Sequence, residues 1–303
     1  MERSGNIGAY AALTGAMVFW GVSFVATKVA LDSFPTFTLI FIRFGLAGCL
    51  FLGRALAKGM PAFTRRDHLK LFVMALFEPG LYFVFETLGL QYTTAPKAAL
   101  LIAAVPVTVL IFARVLIGER ISLASVAGIL FSLAGIAVLI IGDPSFQWEF
   151  GGRLLGDALI MGAVVTASLY MVYARDLGRL YSAWDITTFQ VFYGALFYAP
   201  MFVKESLTLN WAQISGLSFL AVGYLTVFAT VIAFLCYNFG LTRIPASRAS
   251  VFINGIPVVT ALTAWVVLGE RLTLLQAAGG GMVLFGVWIT NALGASEGEA
   301  HEV

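Results

Sequence analysis

Long apolar runs separated by short polar turns extend along almost the whole of this chain. Each run approaches or exceeds the length of about 20 residues that a helix needs to cross hydrocarbon. The breaks between the runs are rich in Gly, Pro, Asp and Lys, which do not favour continued helix. The pattern predicts ten membrane spans, at residues 7–31, 34–57, 69–90, 95–117, 121–142, 153–174, 184–203, 214–239, 245–268 and 272–293.

Two segments that lie 151 residues apart are nearly copies of each other. Leu100–Ser125 aligns with Val251–Gln276 without a gap, and the alignment pairs Pro106 with Pro257. It also pairs the turn Gly118-Glu119-Arg120 with the turn Gly269-Glu270-Arg271. About a third of positions are identical between residues 89–136 and their partners. Internal duplication of a membrane domain is typical of secondary transporters.

The predicted repeat contains five spans, which is an odd number. The second copy therefore enters the membrane from the opposite side, and the two halves are inverted relative to each other. We predict an all-α integral membrane protein with ten transmembrane helices in two inverted five-helix repeats. The first repeat covers residues 1–147 and the second covers 148–295, followed by a disordered acidic tail at 296–303.

Composition supports a membrane protein and disfavours several other classes. Hydrophobic residues make up 60% of the chain and charged residues only 11%, whereas soluble domains carry about 25% charged residues. The net charge of +2 gives no indication of nucleic-acid binding. The two cysteines form neither a disulfide framework nor a metal-site spacing, so we expect no cofactor and no metal.

Lys and Arg side chains are distributed unequally between the two faces of the predicted bundle. With a cytoplasmic N-terminus, twelve of them, Arg54 and Lys58 included, fall in cytoplasmic segments and four fall in outer segments. Cytoplasmic loops of membrane proteins carry an excess of Lys and Arg. The bias therefore predicts that both termini are cytoplasmic.

Three passages of the chain carry a family resemblance. The first span reads Phe19-Trp20-Gly21-Val22-Ser23-Phe24-Val25-Ala26-Thr27-Lys28, and the second contains Arg43-Phe44. Each repeat ends with a proline-bearing helix, a Gly-Glu-Arg turn and a Gly-rich helix. These passages resemble the drug/metabolite transporter superfamily in its ten-helix EamA branch, with its WGxxFxxxK opening and LGER-type turn. The first copy departs at Ile117, where the family usually has Leu.

The resemblance covers nearly the whole chain and implies a carrier of small organic metabolites in the bacterial inner membrane, often an exporter of amino acids. Family membership fixes neither the substrate nor the direction of transport. We expect export of amino acids that include aromatic and apolar ones. A multidrug carrier and a carrier of other metabolites, such as nucleosides or sugars, are the alternatives. The expected partners are a small-molecule substrate and membrane lipid, and the chain is either a monomer or a homodimer.

Ionisable side chains inside the predicted spans are candidates for function, because each charge costs at least about 2.5 kcal/mol to insert. The third span carries Glu78, Tyr82 and Glu86 at a spacing of four residues, which predicts a single helix face. Lys28 and Arg43 add two cations in the same half of the membrane. These charges either form a polar vestibule for a zwitterionic substrate or only tie the first three spans together.

Aromatic side chains make up 14% of the chain, and we expect most of the 26 Phe residues to face lipid. Aromatic residues in the middle of a span, beside polar neighbours, can instead line a cavity for apolar or aromatic substrates. The candidates for such a cavity are Trp20, Phe24, Tyr82, Tyr170 and Tyr237, together with Asn238 and Asn254. Asn254 either lines the path or bonds across to a neighbouring helix.

Two residue pairs occupy equivalent positions in the two repeats. Pro106 and Pro257 lie about ten residues into their predicted helices, where a proline removes a hydrogen bond and kinks the helix. The paired kinks are either hinges or static bends. Lys97 and Arg248 lie at helix N-termini, where a cation opposes the helix dipole. They need a compensating partner there, or they extend to the lipid headgroups.

The turns and glycines that end each repeat are interpreted as structural. We expect Glu119 and Glu270 to cap the helix that follows each turn. The fifth and tenth spans are rich in glycine, which allows close helix packing. Their glycine faces meet either within one monomer or across a dimer.

These features together favour a secondary carrier that works by alternating access. The sequence has no GxxxxGK[ST] loop for ATP, whereas Glu78 and Glu86 are candidate proton sites. A channel would need a continuous polar ring, which the short polar faces do not provide. An intramembrane enzyme is not expected, because no HExxH or GxSxG motif occurs and the two histidines lie in a loop and in the tail.

Overall fold

The described part of the protein is helical in the computed structural model, which describes residues 2–60, 63–90, 92, 101–142, 154–263, 265–266 and 273–300. These residues contain no β-strand. The α-helices are α1 (Glu2–Leu31), α2 (Thr36–Lys58), α3 (Arg65–Ala75), α4 (Tyr82–Leu90), α5 (Val105–Ile117), α6 (Leu123–Ile141), α7 (Leu154–Leu177), α8 (Ala183–Ser206), α9 (Gly216–Tyr224), α10 (Ala233–Leu241), α11 (Ala246–Ser250), α12 (Ile256–Thr263) and α13 (Leu274–Ala300).

Eight helical stretches in the described residues are long and apolar enough to cross a membrane. They correspond to eight of the ten predicted spans, with α3 and α4 together forming the third and α9 and α10 the eighth. The fourth predicted span contains the 13-residue apolar helix α5. The ninth is divided into α11, a 3₁₀ segment at Val251–Gly255 and α12. The predicted all-helical membrane fold is confirmed.

The third and eighth spans are interrupted at positions that the sequence repeat relates. Between α3 and α4 the helical path breaks at Glu78, whose φ of −145° and ψ of 119° are extended. Between α9 and α10 the chain widens into a π-helical stretch at Leu225–Ile232. A shift of 151 residues places the first interruption, Leu76–Leu81, at 227–232, inside that stretch. The two irregularities, although different in kind, therefore fall at equivalent positions of the sequence duplication.

Pro79 accounts for the break in the third span. Proline lacks a backbone N–H and disfavours helical dihedral angles at the residue before it, here Glu78. The prediction that Glu78, Tyr82 and Glu86 share one continuous helix face is therefore wrong. Tyr82 and Glu86 remain together on α4, where the Tyr82 hydroxyl donates a hydrogen bond to Glu86 Oε1 at 3.2 Å.

The paired prolines of the repeats also lie next to interruptions. Pro106 is in the first turn of α5 and Pro257 is the second residue of α12. A missing N–H removes no hydrogen bond at the start of a helix. The bends therefore take the form of helix breaks before the prolines rather than kinks within continuous helices. Their role as hinges remains a prediction.

The chain forms two compact units, Met1–Gly80 with Tyr173–Arg243, called here the first unit, and Leu81–Val172 with Ile244–Val303, the second unit. Each unit combines spans from both predicted repeats. The division into repeats at 147/148 describes a duplication of sequence and remains a prediction.

Within the second unit, α6 and α13 pack closely through their glycines. Gly128 lies against Gly286, and Gly135 lies against Gly279, so the two helices are antiparallel. A Cβ atom on Gly135 would lie 2.7 Å from the backbone nitrogen of Val283. The two glycine faces thus meet within one chain, which was one of the two expected arrangements.

The C-terminal residues differ from the expected tail. Helix α13 continues to Ala300, so residues 296–300, for which we predicted disorder, are helical. The stretch after Leu293 contains no proline, and its Ala and Glu residues favour helix although Gly294 and Gly298 do not. Residues 301–303 lie outside the described residues.

The carboxylate of Glu119 caps a helix that is distant in the sequence. Glu119 accepts hydrogen bonds from the backbone N–H groups of Ala246 and Ser247 at 2.7 and 3.0 Å, and so caps α11. The helix that follows Glu119 is instead capped by Ser122, so the prediction for Glu119 is wrong. The turn places the Glu119 carboxylate at the N-terminus of α11, a helix of the other predicted repeat. There its negative charge interacts favourably with the helix dipole, whereas the positive charge of Arg248 opposes that dipole. Glu270 and Lys97 lie outside the described residues.

We expect Gly279→Ala to lower the melting temperature of the protein in detergent. The added methyl group would lie 2.8 Å from the carbonyl oxygen of Gly135, and overpacking of this kind costs about 1–3 kcal/mol. Gly281→Ala on the same helix is the matched control, because no atom lies within 4 Å of its added Cβ. Equal melting temperatures for the two variants would contradict the close contact.

Candidate functional site

A cluster of buried polar and aromatic side chains in the first unit surrounds the two interrupted spans. Interrupted helices leave backbone carbonyls without helical partners, and inside hydrocarbon these groups need donors from the protein itself. In the eighth span the donor comes from α1, since the Trp20 indole N–H bonds to the carbonyl oxygen of Ala229 at 3.0 Å. Trp20 is thereby held against the π-helical stretch.

In the third span the donors come from α8. Gln190 Nε2 donates to the carbonyl oxygen of Glu78 at 3.3 Å. The Tyr198 hydroxyl lies 3.1 Å from the carbonyl oxygen of Pro79 and 2.8 Å from that of Gly80. Gln190 and Tyr198 are both fully or almost fully buried. The break at Glu78 is therefore covered by two side chains of a single neighbouring helix.

An amide network connects this break to the eighth span. Asn238 Nδ2 donates to Gln190 Oε1 at 3.0 Å and to Thr187 Oγ1 at 2.8 Å. All three side chains are completely buried. A satisfied network of this kind fixes the relative positions of the helices that carry it.

Two charged side chains are buried beside the same segments. Arg43 is only 6% exposed, and its Nε donates to Thr230 Oγ1 at 3.2 Å. The Thr230 hydroxyl in turn donates to the carbonyl oxygen of Leu225 at 2.9 Å. Glu78 is 8% exposed and is close enough to Tyr237 for an electrostatic interaction. The first unit therefore buries one guanidinium group and one carboxyl group near its interrupted spans.

Aromatic rings form the apolar part of the same region. The Trp20 ring centroid lies 5.1 Å from that of Tyr237 and 5.4 Å from that of Phe234. Tyr237 and Phe234 are almost fully buried, whereas Trp20 is half-buried. We call this set the buried cluster; its members are Trp20, Arg43, Glu78, Gln190, Thr230, Phe234, Tyr237 and Asn238.

Five of the residues predicted from the sequence belong to the buried cluster, namely Trp20, Arg43, Glu78, Tyr237 and Asn238. Phe24 and Lys28 lie on α1, but their side chains are outside the described part of the structure. The proposed pairing of Lys28 and Arg43 with carboxylates therefore remains a prediction.

The other predicted residues lie in the second unit. Tyr170 is fully buried in α7. Asn254 donates from Nδ2 to Ser132 Oγ at 3.0 Å, so it bonds across to a neighbouring helix. Its Oδ1 atom is buried and has no hydrogen-bond partner among the described residues. Beside Pro106, the Thr108 hydroxyl donates to the carbonyl oxygen of Val105 at 2.9 Å.

Sequence reasoning missed the role of three uncharged polar residues, Gln190, Thr187 and Thr230. The signal that could have found them is the Pro79-Gly80 pair in the middle of an apolar span. A proline at that depth frees carbonyls, which need donors from uncharged polar residues at the middle of other spans.

One end of the first unit is held by polar contacts of a different kind. Lys70 Nζ and Asp176 Oδ2 form an ion pair at 2.7 Å. The Tyr181 hydroxyl donates to Asp67 Oδ2 at 2.7 Å, and this bond raises the pKa of the Tyr181 phenol above its usual value. Tyr181 therefore remains a donor at physiological pH. These contacts fasten the start of α3 to the α7–α8 turn and suggest no chemistry.

Among the described residues, no group of three or more His, Cys, Asp or Glu side chains is placed to hold a metal ion. The buried cluster has groups that can bind a small polar molecule. It offers a cation, a carboxyl group, amide groups and aromatic rings in a water-poor setting, where each polar contact is stronger than in water.

Comparison with known proteins finds matches along almost the entire chain. The EamA-like transporter family model matches residues 7–141 and 154–292. An uncharacterized transporter of Archaeoglobus fulgidus is 30% identical over 278 residues, which cover 90% of this chain and 95% of that protein. The Probable terminal-alkyne amino-acid exporter of Streptantibioticus cattleyicolor is 23% identical over 280 residues, which cover 92% of both chains.

A protein of known crystal structure has the same fold. The superposition has a TM-score of 0.80 at 23% sequence identity and covers 94% of this chain and 98% of the other. At this identity the likeness concerns the fold alone.

We expect Trp20→Phe to destabilise the protein by about 1–3 kcal/mol, because the buried carbonyl of Ala229 would lose its donor. Trp288→Phe is the matched control, since Trp288 is 54% exposed on α13. The measurement is the melting temperature of both variants in the same detergent. A Trp20→Phe variant as stable as the control would show that the carbonyl does not depend on this indole.

Proposed function

We propose that this chain, which belongs to the EamA-like transporter family, is a secondary carrier that exports amino acids, including apolar and aromatic ones, by alternating access. That it is a multi-pass membrane transporter follows from the family. The substrate class, the direction and the mechanism are our proposal. The observation that carries the proposal is the buried cluster, in which a guanidinium and a carboxyl group lie among aromatic rings.

The chemistry of the cluster matches the three parts of such an amino acid. The planar guanidinium of Arg43 can bind a carboxylate through two parallel hydrogen bonds. The Glu78 carboxylate can bind an ammonium group. The rings of Trp20, Phe234 and Tyr237 offer an apolar surface for the side chain of the substrate. This division of roles supports a zwitterion with an apolar or aromatic side chain.

The relative from Streptantibioticus cattleyicolor, named as a probable terminal-alkyne amino-acid exporter, supports amino acids as the substrate class and the outward direction. A relative at 23% identity does not fix a substrate. The proposed substrate class therefore depends on the cluster, and the relative adds an independent indication.

The interruptions in the spans support alternating access. Helices in which the hydrogen-bond ladder is broken allow their two halves to move as separate rigid segments, and discontinuous helices surround the substrate sites of many transporters. Here the break at Glu78 and the π-helical stretch Leu225–Ile232, where the ladder is shifted by one residue, occur at repeat-related positions. In the antiparallel contact between α6 and α13, Gly128 meets Gly286, and their repeat equivalents Gly279 and Gly135 meet each other. Two inverted repeats are expected to pack in this symmetric way.

The energy for transport comes, in this proposal, from a gradient of protons or of substrate. Glu78 is buried beside the proposed substrate groups, so its protonation and substrate binding would influence each other. Glu86 lies on the following helix, hydrogen-bonded to Tyr82. Each carboxyl group is by itself a candidate proton carrier, and the exchange of protons for substrate is the simplest coupling that such a group permits.

We expect purified protein in liposomes to catalyse saturable counterflow of labelled phenylalanine, tryptophan or leucine. The amine or the carboxylic acid alone should compete at least ten times more weakly than the zwitterion, because each lacks one of the two charged partners. Preferential transport of nucleosides, sugars or cationic drugs would contradict the proposed substrate class. Flux that does not saturate would indicate a channel.

We expect Glu78→Gln to reduce transport driven by a pH gradient at least tenfold, because the glutamine cannot exchange a proton. Counterflow at equal pH should fall less. Glu86→Gln is measured in parallel, and exposed Asp32→Asn is the control for the loss of one acidic charge. If both glutamate variants retain full transport driven by a pH gradient, these carboxyl groups take no part in proton coupling.

A further inference from the structure

A half-open pocket lies at one end of the first unit, apart from the buried cluster. Its volume is about 360 Å³, and it is formed by α2, the first turn of α8 and the π-helical stretch Leu225–Ile232. Its lining residues are Leu50, Phe51, Arg54, Lys58, Trp184 and Val231. None of these lining residues belongs to the buried cluster.

The pocket has a charged rim and an apolar floor. Lys58 is the last residue of α2 and Trp184 is the second residue of α8, so the rim lies where two spans end. Leu50 precedes Lys58 by eight residues, which at 1.5 Å per residue places it about 12 Å deeper along α2. We therefore expect the charged groups at the level of the headgroups and the floor within the hydrocarbon.

Aromatic contacts hold the rim in place. The Arg54 guanidinium carbon lies 4.5 Å from the centroid of the Trp184 ring, within the range of a cation–π interaction. The Trp184 ring also meets the edge of buried Phe51 at 5.6 Å. Trp184 itself remains 42% exposed. The cation is thus oriented at the pocket mouth, and the indole is accessible to a bound molecule.

The charge of the rim is positive. Arg54 and Lys58 contribute two cations, while the acid on the same turn as Trp184, Asp185, accepts hydrogen bonds from the N–H and hydroxyl groups of Ser182. That carboxylate caps α8 and is almost fully buried. The exposed part of the rim therefore favours an anion.

We propose that this pocket binds one anionic phospholipid. Its phosphate lies between Arg54 and Lys58, and an acyl chain covers Leu50, Phe51 and Val231. A soluble anion would satisfy the rim and leave the apolar floor in contact with other lipids, whereas a neutral lipid would leave the two cations without a partner. Basic pockets between spans on the cytoplasmic side bind anionic headgroups in membrane proteins, and the Lys and Arg distribution predicts that this end is cytoplasmic.

The position of the pocket connects the lipid to the interrupted eighth span. Val231 follows Thr230, which accepts a hydrogen bond from Arg43, and Ala229, which accepts one from Trp20. A lipid chain packed on Val231 therefore braces the outer surface of the π-helical stretch. Binding of the lipid is expected whatever the carrier transports, so this inference stands apart from the proposed substrate.

The test uses the full chain, delipidated in detergent. Native mass spectrometry and thermal unfolding are compared for phosphatidylglycerol, for phosphatidylcholine with the same acyl chains, and for inorganic phosphate. We expect phosphatidylglycerol to be retained and to raise the melting temperature. The double variant Arg54→Gln/Lys58→Gln should bind it at least ten times more weakly. Arg65→Gln/Arg66→Gln, which removes two exposed cations from the start of α3, is the control and should bind within twofold of the unmodified protein.

A second variant tests the apolar floor without changing the charge. Leu50 is 56% exposed, so Leu50→Trp should fold and fill the floor, and should also weaken phosphatidylglycerol binding several-fold. Equal retention of the two lipids would overturn the proposal, as would equal binding by the double variant and its control. Full stabilisation by inorganic phosphate alone would show a site for a soluble anion instead.

Discussion

A backbone carbonyl that leaves the helical ladder inside hydrocarbon must find its partner within the protein. This constraint organises the first unit, where the helical path breaks at Glu78 and widens into the π-helical stretch Leu225–Ile232. Trp20, Gln190 and Tyr198 supply the missing donors. Three side chains from two other spans are thereby fixed against the breaks, and the polar and aromatic cluster forms where regular helix ends.

The same constraint explains why buried charge is tolerated in this region. A charged side chain costs a few kcal/mol in the middle of a membrane, and such groups are found where polar partners already exist. Arg43 contacts the Thr230 hydroxyl, which itself bonds to a carbonyl of the widened helix. The helix irregularity thus provides the polar surroundings that a buried guanidinium needs. Binding chemistry and backbone irregularity depend on each other in this fold.

The sequence was sufficient to predict the spans but not their interruptions. Apolar length is a strong signal, since each helix must match the thickness of the bilayer, and the eight long helices fall where the apolar runs do. Helical spacing failed for Glu78, because it assumes an unbroken helix, although Pro79 marked the break. The cluster residues with charges or large rings stood out in the sequence, whereas Gln190 and Thr230 gained their roles only through contacts with distant spans. The same holds for Glu119, which caps α11 rather than the helix next in sequence.

The glycine contact between α6 and α13 has a consequence for biosynthesis. The hydroxyl of Thr273, just before α13, donates to the carbonyl of Gly142, just after α6, and these residues are 131 positions apart. At about 5–20 residues per second, a ribosome needs on the order of ten seconds to make that length of chain. During this interval the small-residue face of α6 lies in the membrane without its partner α13. The packing of the second unit is complete only after α13 has been made. A chain whose translation stops early therefore has the small-residue face of α6 uncovered, and membrane proteases and insertion chaperones can recognise that face.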